Sequence, residues 1–131
     1  MKSSEALFYN KDLLLKAYRI WKDDSGLTLE AAESWLRGTT WSEFMEFCNN
    51  AATNRASISD TLAKSDAYIL GYDSDANMII TRMYQDKIAF TSIKDGKGNL
   101  DFEDATEKAK LKAVVEEYKT LHDNHALITK G

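Results

Sequence analysis

The chain has 131 residues, 21 acidic and 17 basic, for a net charge of −4, and a hydrophobic fraction of 44%. That length can bury a sound core without staples, so one globular domain is expected. The mild acidity argues against nucleic acid as a partner, because binding it needs a basic footprint.

A single cysteine, Cys48, excludes an intramolecular disulfide and points to a reducing, cytoplasmic compartment. The opening stretch MKSSEALFYNKDLLLK interrupts its apolar residues with Glu5, Asn10, Lys11 and Asp12, unlike the continuous apolar core of a signal peptide. No apolar run approaches a membrane span, so no membrane partner is expected.

The first helix is expected over Glu5–Lys22, where Leu14, Ala17, Tyr18 and Trp21 recur at i, i+3, i+4 and i+7 and stack on one side. Asp23-Asp24-Ser25-Gly26 ends it with turn chemistry. Thr28 suits the N-cap of a second helix whose apolar side is Leu29, Ala32, Trp35 and Leu36, with Gly38 at its close. Thr40-Trp41-Ser42-Glu43 fits the capping box and opens a third helix from Trp41 to about Ala52. Two short helices around Gly38 invite a helix-turn-helix reading. The would-be recognition helix WSEFMEF carries Glu43 and Glu46 and no basic residue, so it would repel phosphates and cannot read guanine. Asn49–Asp66 is polar, with a short helical piece near Ser59–Lys64.

Ala67–Ile93 is the one long stretch rich in β-branched and aromatic residues, and turn-type residues divide it into AYILGY, MIITRMY and KIAFTSI. Folded as a meander through DSDAN and Gln85-Asp86, it sorts its side chains by alternation onto two faces. One face carries Ala67, Ile69, Ile79, Thr81, Met83, Ile88 and Phe90, with Gly71 among them. The other carries Tyr68, Leu70, Tyr72, Met78, Ile80, Arg82, Tyr84 and Ile93. Both are apolar, so either helices cover both or one awaits a partner.

After the turn cluster Lys94–Asn99, Leu100–Phe102 adds a short edge strand. A last helix from about Asp104 to Asn124 buries Leu111, Val114, Val115, Tyr118, Leu121 and His125. The tail Ala126–Gly131 can pair as a further edge. The expected fold is α+β: a helical N-terminal half (1–66), then a three- to four-stranded antiparallel β-meander with a long C-terminal helix packed on the sheet (67–131), within a single domain, 1–131.

Motifs for chemistry are sparse. Asp73-Ser74-Asp75-Ala76-Asn77 supplies oxygens at the first, third and fifth positions of a calcium loop, but Met78 stands where glycine is needed and Tyr84 where the bidentate glutamate is needed. His122 and His125 have zinc-ligand spacing without two further ligands in sequence. Cys48 falls on the inward line of its helix, where a free cysteine behaves as a small hydrophobe rather than a nucleophile. Asp95-Gly96-Lys97-Gly98 lacks the spacing of a phosphate loop. No metal, cofactor or catalytic residue is therefore assigned.

The expected function is binding of another protein or self-association, in the manner of an inhibitor, immunity or adaptor protein. The alternative is a small-ligand binder with a pocket lined by tyrosines and Arg82, and the third reading is an enzyme without a recognisable motif. The candidate binding residues are Tyr68, Tyr72, Arg82 and Tyr84, which combine apolar bodies with hydroxyls and a guanidinium. The competing expectation is that the N-terminal helices cover that face. Because both metal motifs lack most of their ligands, thermal melts in EDTA, in added calcium and in added zinc should superimpose. A shift of several degrees with either ion would assign a metal to Asp73–Asn77 or to the two histidines.

Overall fold

The computed structural model describes residues 6–130, and the chain divides into two compact units, Met1–Ala67 and Tyr68–Gly131. Among the described residues there are seven α-helices and four short strands, paired as two sheets of two strands each.

The first unit is helical throughout: α1 (Lys11–Lys22), α2 (Leu29–Gly38), α3 (Trp41–Thr53), α4 (Arg55–Ile58) and α5 (Asp60–Lys64). The expected start of α1 at Glu5 lies outside the described residues, and the helix begins only at Lys11. Asn10 sets that start, its side-chain oxygen accepting the backbone N–H groups of Asp12 and Leu13 at 3.0 and 3.1 Å. The cap satisfies donors that an earlier turn would otherwise engage.

Thr28 caps α2 through the Ala31 N–H, and Thr40 caps α3 through the Glu43 N–H. Only half of the expected capping box forms. The Glu43 carboxylate turns away to accept the Trp35 indole N–H at 3.1 Å and the Thr39 hydroxyl at 3.1 Å.

Leu14, Ala17 and Tyr18 of α1 and Ala32 of α2 are buried, as are Met45, Phe47, Cys48, Ala51 and Ala52 of α3. Tyr18 stacks on Trp35 with ring centroids 5.4 Å apart, and Phe47 meets both Trp35 and Trp21. Offset and edge geometries of this kind are the favoured ones for aromatic pairs. Arg55 closes the unit: its guanidinium donates to the carbonyl oxygens of Leu62, Ser65 and Ala67 at 2.9, 2.9 and 2.7 Å.

The second unit overturns the meander. Its order is β1 (Leu70–Tyr72), α6 (Asp75–Gln85), β2 (Thr91–Lys94), β3 (Lys97–Leu100), a 3₁₀ turn (Asp101–Glu103), α7 (Ala105–Asp123) and β4 (Leu127–Thr129). The segment MIITRMY, expected as the central strand, is helix. Ser74 within DSDAN is its N-cap, accepting the Asn77 N–H at 3.3 Å. Met78 and Met83, which alternation assigns to opposite faces, are both buried in α6, about 140° apart around the helix and flanking the half-buried Ile79 and Arg82.

With α6 removed from the sheet, β1 pairs in parallel with the tail strand β4, in the register Leu70↔Leu127, Gly71↔Ile128, Tyr72↔Thr129. The antiparallel element that does form is the hairpin β2–β3. Asp95 and Gly96 turn it with φ of 52° and 73°, the paired positive values of a type I′ hairpin turn.

Asp104 caps α7 by accepting from Thr106 and Glu107. The helix contacts α6, the 3₁₀ turn and β4 rather than covering a broad sheet. Val114, Tyr118 and Leu121 form its buried side. Tyr118→Ala should cost about 3–5 kcal/mol, in line with other large aromatic truncations. Urea unfolding of both proteins measures it, and a loss within about 0.5 kcal/mol would mean that this side of α7 is not packed.

Candidate functional site

The four residues expected to share one face are dispersed. Tyr68 precedes β1, where its ring stacks on His125 with centroids 4.7 Å apart and its hydroxyl lies 3.2 Å from His122 Nε2. The His-x-x-His spacing at the end of α7 thus brings both imidazoles to a tyrosine. Among the described residues, no group of three or more His, Cys, Asp or Glu side chains could hold a metal ion.

Tyr72 ends β1 and lines an open groove with Gly71, Asp73, Ile128, Thr129 and Lys130, about 490 Å³ in volume. Arg82 and Tyr84 both lie on α6, but two helical residues are about 200° of turn apart, so they face different ways. Arg82 is an internal tie. Its Nε donates to Asp86 Oδ2 at 2.7 Å and its Nη2 to Glu117 Oε2 at 3.1 Å, linking α6 to α7. Tyr84 points outward and is 86% exposed.

A different surface emerges on α6. Asn77, Ile80, Thr81, Tyr84 and Gln85 are all exposed and fall on one side of the helix at i, i+3, i+4, i+7 and i+8. None is charged, in a chain that is 29% charged overall, and Ile80 is 63% exposed beside Tyr84. The arginine of this helix is turned inward, so a bare apolar pair is left on a neutral background. The sequence signal for this face was the same Ile80 and Tyr84, read with the wrong period.

The remaining candidate chemistry is structural. Cys48 is 1% exposed, and burial pushes its thiol up to about 12, so little reactive thiolate exists at neutral pH. No helix among the described residues is long and apolar enough to cross a membrane. The chain matches no protein-family model, no curated protein and no solved structure.

One carboxylate stands out electrostatically. Asp101 is 5% exposed, and its Oδ1 accepts from Ser92 Oγ at 2.9 Å and Asn99 Nδ2 at 2.6 Å and pairs with Lys94 Nζ at 3.3 Å. The Ser92 hydroxyl, with help from Asn99 and Lys94, holds the carboxyl below its ordinary range against the opposing effect of burial. The ionised form ties the two strands of the hairpin to the 3₁₀ turn.

Since the folded state lowers this pKa, Asp101 contributes its full stability above the ordinary aspartate value of about 3.9 and loses it as pH falls through the lowered folded value. Denaturant unfolding across a pH series, for wild type and Asp101→Asn, should show a constant gap above about pH 5 that closes toward about pH 2. A gap independent of pH would mean that the ionised carboxylate does not hold the hairpin.

Proposed function

We propose that this chain works by binding another protein, in the manner of an inhibitor, immunity or adaptor protein, and that the outer face of α6 is its contact surface. The observation that carries this reading is the uncharged strip with Ile80 and Tyr84 exposed four residues apart. Interface cores are depleted of charge and enriched in tyrosine, and truncated anchors of this kind commonly cost 2 kcal/mol or more. An exposed apolar pair on a helix is also the usual anchor when a helix lies in a partner's groove. The single buried cysteine supports the cytoplasm as the place of action.

The partner is a target protein or a second copy of the chain. Tyr84→Ala combined with Ile80→Glu should leave the circular dichroism spectrum and melting temperature near those of wild type, since both side chains are exposed. Affinity capture from source-cell lysate, read by mass spectrometry, should recover a protein with wild type that the variant loses, with affinity reduced by at least about 30-fold. Equal capture by both would remove α6 from the binding surface.

A further inference from the structure

The groove over β1 and β4 presents a glycine that the fold does not require. Gly71 is the middle residue of β1, where glycine weakens a strand relative to a residue with a side chain. Its φ lies outside the left-handed region, so no turn geometry demands it, and a Cβ built on it would meet nothing within 4 Å, so no neighbouring backbone demands it either. A side chain there would instead project into open space at the groove that Gly71 lines with Tyr72, Asp73, Ile128, Thr129 and Lys130.

The groove lies at the carboxyl ends of the two parallel strands β1 and β4. It is shallow and open to solvent, with a volume of about 490 Å³. The Lys130 N–H bonds to the Tyr72 carbonyl oxygen at 3.1 Å, which fixes the strands where the groove lies. Two opposite charges line it, Asp73 and Lys130. Neither side chain has a hydrogen bond or ion pair among the described residues, and they do not pair with each other.

From these observations we infer that the groove over Gly71 is a binding site for a small zwitterion with an apolar body, of the α-amino-acid type. Its ammonium group meets Asp73, its carboxylate meets Lys130, and its side chain lies across Gly71 against Ile128, which the ladder pairs with Gly71 on the exposed face. The absence of a side chain at position 71 is what keeps the space open. This site is separate from the protein-binding face proposed for α6, and either can stand without the other.

The test is an NMR titration of the ¹⁵N-labelled chain with L-phenylalanine and L-leucine. Saturating amide shifts should centre on Gly71, Tyr72, Asp73, Thr129 and Lys130, with a dissociation constant of about 1 mM or tighter. N-acetyl-phenylalanine and phenylalanine amide, which each lack one charge, should bind at least about tenfold more weakly. Gly71→Val should melt at or above the wild-type temperature and lose the shifts. Asp73→Asn and Lys130→Gln, both at exposed positions, should each weaken binding about tenfold if Gly71→Val fails to fold. No shift up to about 10 mM of either amino acid, or unchanged binding by the folded Gly71→Val or by both charge variants, overturns the inference.

Discussion

The second unit depends on a short parallel ladder that joins its first strand to its last. Parallel neighbours cannot be linked by a tight turn and need a long crossover. Here the crossover is everything between them: α6, the β2–β3 hairpin and α7. The ladder is anchored by the Leu70 N–H bonding to the Ala126 oxygen at 2.9 Å and the Ile69 N–H bonding to the His125 oxygen at 3.1 Å. Three paired residues a side cannot offset the entropy of closing so long a loop by hydrogen bonds alone. Burial supplies the rest, since Leu70 and Leu127 are interior, and each fully buried leucine contributes about 1.5–3 kcal/mol. His125, at φ 60°, turns the chain out of α7 so that the Ala126 N–H returns to the Leu121 carbonyl and β4 meets β1.

The first unit solves a comparable problem with one side chain. The short helices α4 and α5 and the residues after them have little apolar surface to bury, and α5 has no buried residue. Arg55 compensates by taking three backbone carbonyls that would otherwise depend on water. Hydrogen bonds from a charged donor contribute about 1.5–3 kcal/mol each, more than neutral ones. A lysine at this position could not do the same, because its single ammonium lacks the planar fork that reaches three oxygens at once. The half-buried guanidinium is therefore a fastening for an otherwise polar segment.

The helices were legible where sequence carried local signals. Thr28, Thr40 and Asp104 each accept backbone N–H groups at the helix starts expected for them, and the i, i+4, i+7 spacing of Val114, Tyr118 and Leu121 does mark a buried side. The start of α1 was missed because apolar residues Leu7, Phe8 and Tyr9 prolong the pattern, while Asn10 governs the backbone.

The larger error came from α6. Ile79, Ile80 and Thr81 are β-branched and pull a propensity argument toward strand, yet tertiary packing of Met78 and Met83 overrides it. A strand apolar on both faces was itself a warning, since a helical stripe read at period two spreads over both sides. The expected shared face dissolves for the same reason: Arg82 and Tyr84 lie on one side only if the segment is extended. Gly71, by contrast, carries no signal in composition or period, because its significance lies in what surrounds it.

The position of Cys48 gives the N-terminal helices a chemical clock. The thiol sits among Phe47, Ala51 and Ala52 in α3 and is almost entirely protonated while the unit is closed. Disulfide exchange and alkylation both proceed through the thiolate and need access to sulfur. Each modification event therefore records an opening of the helices, at a rate governed by their local unfolding equilibrium rather than by the reagent's intrinsic speed. A chain built this way keeps its one thiol from thiol-reactive partners for as long as the helical unit stays folded, and surrenders it when that unit opens.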